Sequence, residues 1–331
     1  MSRHNLHKII KEDISAIVEQ PIERQKLKDK KVIVTGASGM IGGYICKALE
    51  QIGAIAITVR GRDAAKYIPK CKCDYIIHAA SSSSPKQARE DYDGVVSANI
   101  DATRNLLRLA KQESAVFLFI SSGSIYGNPI NNEIVSENDY GYIDLSDPRT
   151  IYAESKRLGE SICLAYSKEF GVKTHIARLA SVLGPGIDLD GGGVHSDFLR
   201  NALNNENIVI KSDGLAKRSF IYLADCVSAL FYILLKGNNA TSYNISNTAN
   251  YTTIRNYAKA VAQVAMNVLG KQIDIDYAKT SNTNLLYGSN YQSDRLEKLG
   301  WKSSLSLWRE RFCLLRNNDL FNRAIVRKIA S

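Results

Sequence analysis

Residues 32–43 read VIVTGASGMIGG, a short apolar run that breaks into glycines and then opens a helical pattern. Val32, Ile33, Val34 and Thr35 suit a strand buried on both faces. The stretch IGGYICKALEQ (41–51) then carries the spacing of an amphipathic helix. Strand, glycine turn and helix in that order are the setting that a dinucleotide-binding turn requires. Gly36 is expected to make the tight turn, Gly39 to let backbone approach a pyrophosphate, and Gly42 to let helix and strand close up. Ser38, Met40 and Ile41 complete the turn and helix start, whose N–H groups and positive dipole end suit phosphates. The glycines are spaced Gly-x2-Gly-x2-Gly rather than the usual Gly-x-Gly-x2-Gly.

Working outward, strands and helices alternate. Strands are expected at 55–59, 74–80, 115–123 and 174–180, and helices at 97–111 and around 152–169. This alternation predicts an α/β chain with a Rossmann-type, doubly wound parallel sheet covered on both faces. Beyond residue 181 glycines cluster and strands shorten, which points to a smaller C-terminal α/β unit. Within it, 218–235 reads as a strand running into a helix. Ahead of the first strand, residues 6–19 carry an amphipathic pattern interrupted at Pro21. The expected division is a helical extension (1–30), an NAD(P)-binding unit (31–180) and a mainly substrate-binding unit (181–331).

Composition narrows the function classes. The chain has 331 residues, 45% hydrophobic and 23% charged, within the ordinary globular range. No window supplies the ~18 apolar residues of a membrane span, and the N-terminus lacks a secretory pattern, so the expected compartment is the cytoplasm. The six cysteines have no metal-ligand spacing, and no metal is expected. The net charge of +10 comes without an aromatic-interleaved basic stripe, so neither nucleic acid nor membrane is an expected partner. A basic surface does suit a polyanionic small substrate.

Two constellations suggest chemistry. Tyr152 and Lys156 lie four apart on a helix and therefore share a face. An ammonium beside a phenol favours the phenolate, so Lys156 is expected to lower the Tyr152 pKa towards neutrality, with Ser122 holding the oxygen whose proton moves. Where the second strand ends, an NAD enzyme needs a carboxylate for the ribose 2′-hydroxyl. Here Arg60 stands there, which suits the 2′-phosphate of NADP. The expected cofactor is NADP in preference to NAD.

Together, TGASGMIGG, DYIIHAASSSSP, SANIDATRNLL, FISSGSIYG, YAESK, ARLASVLGPG, RSFIYLADCVSAL and the late LEKLGW resemble the extended short-chain dehydrogenase/reductase family. The likeness runs from about residue 31 to 310 and is narrower to its nucleotide-sugar epimerase/dehydratase branch. The resemblance implies an enzyme acting on a nucleotide-diphosphate sugar, and a homodimer built on the helices near 98–111 and 150–168. It makes Tyr152 the acid/base, Lys156 its partner and a nicotinamide-ribose ligand, and Ser122 the catalytic hydroxyl. Ala79, Ala80 and Asn99 would line or hold the cofactor. Ser82, Ser122, Ser124, Ser181 and Arg218 would meet the substrate, Arg218 at the diphosphate.

Departures from the branch bear on the reaction. Dehydratases carry an Asp-Glu pair after the catalytic hydroxyl, and decarboxylases keep the Glu; Gly123 and Ser124 stand there instead. That favours 4-keto reduction or C4 epimerisation for polysaccharide sugars over dehydration or decarboxylation. A non-catalytic NADP(H)-binding module is the remaining alternative. Only some fourteen residues separate Arg60 from Asp74, too few for the usual helix, third strand and adenine contact. Ser181 stands where an Asn is common, Gly193 where decarboxylases place Arg, and no arginine lies between Thr280 and Asp294 for a second diphosphate contact.

Overall fold

The structure, a computed structural model, describes residues 3–67, 70–81, 85–128, 134–277 and 290–303. The first half of the chain alternates as the glycine turn predicts. After α1 (Arg3–Val18) come β1 (Lys31–Thr35), α2 (Met40–Ile52), β2 (Ile55–Val59), α3 (Gly61–Lys66) and β3 (Tyr75–His78). The short helices α4 (Pro85–Glu90) and α5 (Tyr92–Val96) lead through a wide π-type turn, Ser97–Asp101, into α6 (Ala102–Glu113). Then follow β4 (Val116–Ser122), β5 (Ile134–Val135), α7 (Ile151–Phe170) and β6 (Thr174–Leu179).

The second half supplies β7 (Ser181–Leu183), α8 (Val194–Asn204), β8 (Ile208–Ile210), β9 (Lys217–Tyr222) and α9 (Leu223–Lys236). It closes with β10 (Thr241–Ile245), β11 (Tyr251–Thr253), α10 (Ile254–Leu269), β12 (Ile275–Tyr277), β13 (Asn290–Tyr291) and α11 (Asp294–Glu297).

Six parallel strands form the main sheet, in the order β10-β6-β4-β3-β1-β2. Parallel strands need helical crossovers, which leave both faces covered; every residue of β6 is accordingly buried. The sheet ends at β2. A doubly wound dinucleotide fold continues with one more strand on that side, and among the described residues none stands there. The fourteen-residue count from Arg60 to Asp74 had implied this. At the other edge, β10 joins the sheet from beyond residue 181, so the two halves share one sheet rather than meeting at a border. The substrate-side elements are smaller, β11-β9-β7 and the pairs β12-β8 and β13-β5.

The glycine turn shows why its residues are small. Gly36 has φ +70, and a Cβ there would come within 2.8 Å of the Ala80 nitrogen. A Cβ on Gly42 would collide with the Gly36 carbonyl, so α2 approaches β1 backbone to backbone.

Helix α1 is part of the body. Asp13, fully buried, accepts from the Tyr44 hydroxyl of α2 at 3.0 Å and from the Tyr222 hydroxyl at the end of β9 at 2.7 Å. Asp13→Ala would leave both hydroxyls buried beside an apolar group. Denaturant unfolding should show a loss of roughly 2–4 kcal/mol, and an unchanged midpoint would remove Asp13 as the clasp.

Candidate active site

Helix α7 lies along β4 so that successive turns meet neighbouring residues of the strand. Tyr152 lies beside Ser122, whose hydroxyl favours its phenolate. Lys156 Nζ donates to the Ile120 carbonyl at 2.8 Å, and Glu160 accepts from the Ser121 hydroxyl at 2.5 Å. These side chains stand four residues apart, the spacing that stacks them on one helical face. Glu160 forms a fork with Arg178 of β6, Nη2 to Oε2 at 2.7 Å and Nε to Oε1 at 3.1 Å, with side chains only 8% and 3% exposed. Arg178 also donates to the Tyr126 hydroxyl at 3.0 Å and the Glu137 carbonyl at 2.9 Å, so its buried charge is well partnered.

Lys156 is fully enclosed, its ammonium 4.8 Å from the Phe119 ring centroid and 6.0 Å from that of Tyr152. Burial pulls it from 10.5 down to about 7, with Glu160 opposing. Burial holds the Tyr152 phenol above its ordinary value, while hydrogen bonds with Ser122 and Ser81 pull the other way. The expected lowering of Tyr152 by Lys156 is therefore not what this geometry produces. Desolvation outweighs it, and the ammonium is directed at a backbone carbonyl.

Ser81 was not among the expected residues. The Ser155 hydroxyl donates to the Tyr152 carbonyl at 2.9 Å and accepts from Asn99 Nδ2 at 2.9 Å. That orients the Asn99 amide, so its Oδ1 accepts the Ser81 proton at 2.9 Å. Ser81 and Ser122 thus lie on either side of the Tyr152 phenol, and both hydroxyls favour its ionised form. Asn99, expected to hold cofactor, is buried, its amide bonded to Ser81 and Ser155. The wide turn 97–101 carries it inward. Ser122 accepts from the Ser124 N–H at 3.1 Å, leaving its own proton to donate.

The residues expected at a cofactor surround this cluster. Ser38 and Gly39 are exposed, Met40 and Ile41 half-buried at the start of α2, whose N-cap Gly39 offers no side chain to the first-turn amides. The Ala80 N–H is spent on Thr35 Oγ1 at 3.1 Å, while Ala79 stays half-buried. Thr35 in turn meets His78 Nδ1 at 2.7 Å, and His78 Nε2 meets the Ala98 carbonyl at 3.2 Å. Burial pulls His78 to about 3, so it stays neutral and fastens β1, β3 and the wide turn together. The side-chain-free cradle of Gly36, Gly39 and Gly42 and the uncapped helix start fit a dinucleotide pyrophosphate. Arg60 is exposed where the edge strand β2 gives way to α3.

On the substrate side, Arg218 of β9 is half-buried beside Tyr251 and Tyr291, and Ser181 is half-buried at the start of β7. Ser124 is exposed; Ser82 lies outside the described residues, as does 278–289. His195, near the start of α8, was also missed: its ring lies 3.0 Å from where a Gly193 Cβ would be. Burial and the nearby Arg218 lower its pKa, with Asp197 opposing. Nothing local marks it, since a lone histidine on a helix is usually structural.

Residues 32–246 match the family described as NAD dependent epimerase/dehydratase. UDP-glucuronic acid decarboxylase 2 of Arabidopsis thaliana is 26% identical over 303 residues, 85% of this chain and 66% of that protein, so the chain spans just under two thirds of its length. A UDP-glucose 4-epimerase of Thermotoga maritima, solved with UDP-glucose, superposes with a TM-score of 0.75 at 21% identity, over 91% of this chain and all of that one. RMD of Pseudomonas aeruginosa, solved with NADPH, gives 0.69 at 23% identity over 87% and 98%. At these identities the solved structures establish the fold.

Two outcomes follow for the α7 ladder. Glu160→Gln would leave the Arg178 charge buried without its partner and should cost about 3–5 kcal/mol in unfolding experiments. Between about pH 7 and 10.5 the unfolded chain holds a proton that folded Lys156 has released, so this group makes stability rise with pH across that window. Lys156→Met should flatten the rise, checked by unfolding free energies at pH 7, 8 and 9; parallel slopes would contradict it.

Proposed function

The chain belongs to the NAD dependent epimerase/dehydratase family, and on that premise we propose that it is a nucleotide-sugar 4-ketoreductase or C4-epimerase serving polysaccharide sugar synthesis. The observation that carries this is the single proton-transfer device at the end of β4, Tyr152 between Ser122 and Ser81. A nicotinamide dinucleotide would be held by its pyrophosphate at Gly36, Gly39 and Gly42, and would supply the hydride chemistry. Tyr152 gives the matching proton to the C4 oxygen on reduction, or takes it on oxidation. Ser122 donates a hydrogen bond to that oxygen, and Ser81 holds the phenol in place. Lys156 opposes the charge left when the proton departs. Burial keeps the Tyr152 phenol protonated, the form from which reduction of a 4-keto sugar would begin.

Arg60, with no carboxylate at its position, supports NADP over NAD. Arg218 and His195 suit the anionic end of a nucleotide-diphosphate sugar. The exposed Leu158 (51%) and Leu164 (43%) of α7 suit a homodimer built across that helix. The working compartment would be the cytoplasm; among the described residues no helix is long and apolar enough to cross a membrane.

The curated relatives named UDP-glucuronic acid decarboxylase favour a second reading, in which oxidation at C4 is followed by loss of CO2. Gly123 and Ser124 provide no carboxyl group to return a proton to carbon, which weighs against it.

A panel of 4-keto sugar nucleotides mixed with enzyme and NADPH distinguishes these. Falling NADPH absorbance identifies a reductase; conversion of a 4-hydroxy sugar without net consumption identifies an epimerase; CO2 from UDP-glucuronic acid identifies the decarboxylase. Tyr152→Phe should lower kcat roughly 10²–10⁴-fold with cofactor affinity nearly unchanged, and full activity would sink the assignment. Arg60→Ala should weaken NADPH more than NADH in fluorescence titrations, and equal weakening would remove the case for NADP.

A further inference from the structure

Gly123 follows Ser122 at the end of β4 and has no side chain, yet the space beside it is filled. A Cβ there would lie 2.5 Å from Cε2 and Cζ of Tyr291 and 2.7 Å from its hydroxyl oxygen. This phenol arrives from β13, far along the chain, and is firmly mounted. Tyr291 pairs with Val135 of β5, and its carbonyl accepts from the Ser246 hydroxyl at 2.6 Å. Its ring stacks on Tyr126 at 5.5 Å and 30°. Tyr126 is itself pinned, donating to Asn244 Oδ1 at 2.6 Å and accepting from Arg178. Among the described residues, the Tyr291 hydroxyl makes no hydrogen bond. Burial pushes the phenol up to about 12 while Arg218 opposes, so at neutral pH it is a donor.

Tyr291 is half-buried and packed against Tyr126, and a tyrosine held so firmly normally finds a partner for its hydroxyl. This one sits against the residue after Ser122, on the side that Arg218 also faces. We infer that Tyr291 is a substrate-contacting, specificity-determining residue: its hydroxyl donates to an oxygen of the substrate's sugar, and its ring bars bulky substituents from the space over Gly123. The inference rests on the nucleotide-sugar reading above. The glycine is part of the same device, since any side chain at 123 would evict the ring.

Calorimetry on the NADPH-loaded enzyme tests it, with UDP-, dTDP-, GDP- and CDP-glucose as probes against the matching free diphosphates. Tyr291→Phe keeps the stacked ring and removes only the donor. It should weaken the preferred sugar nucleotide roughly tenfold and leave the free diphosphate unchanged, a split that a purely structural role does not give. Gly123→Ala should show the same selective loss, and adding Tyr291→Ala to it should cost less than the two single losses combined. If the wild type prefers a sugar nucleotide and Tyr291→Phe keeps that preference in full, the inference alone is overturned. If the wild type binds no sugar nucleotide better than its diphosphate, the nucleotide-sugar reading falls and the inference with it.

Discussion

The buried fork between Glu160 and Arg178 holds the site in register. Burying two charges is costly, and the arrangement answers the cost by satisfying nearly every polar atom involved. Ser121 serves one carboxylate oxygen, and Tyr126 and the Glu137 carbonyl take up the guanidinium. Apolar contacts between α7 and β4 would tolerate a sliding helix; a two-pronged hydrogen-bonded pair does not. With Glu160 set against Ser121, the four-residue spacing keeps Lys156 and Tyr152 on the same face of the helix, turned to Ile120 and Ser122. The same arginine, through Tyr126, braces the ring on which Tyr291 rests. One ion pair thus anchors both the helix that carries Tyr152 and the ring that carries Tyr291.

What the sequence made legible was local. The Gly36–Gly42 turn, the Tyr152–Lys156 spacing and the short gap after Arg60 are each read within about a dozen residues, where backbone geometry follows directly from residue type. The groups that escaped are those brought together across the chain. Ser81 sits in a run of four serines, and only the hydrogen-bond chain through Asn99 and Ser155 singles it out. His195 and Tyr291 have neighbours in sequence that say nothing of the cleft. The raised Tyr152 phenol escaped for a related reason: proximity of Lys156 to Tyr152 is readable from spacing, whereas desolvation depends on the whole enclosing fold.

The glycine at 123 shows how an omission can carry information. Read along the chain it is a missing carboxylate, a reason to doubt elimination chemistry. In three dimensions it is the vacancy that lets a phenol from another strand reach the reacting end of the sheet. Both statements describe the same lost side chain, one as chemistry removed and the other as shape gained.

The bond from Asp13 to Tyr222 spans 209 residues, and the sheet's outer strand β10 ends only at Ile245. Closing such contacts early would demand large loop entropy, so they belong late in folding. During synthesis, helix α1 emerges long before β9 and must wait about two hundred residues before its buried aspartate finds both partners. Until then its apolar face and the open flank of β6 stay exposed together. Those two surfaces define the interval in which the nascent chain is most prone to aggregate, and in which a chaperone has the most to shield.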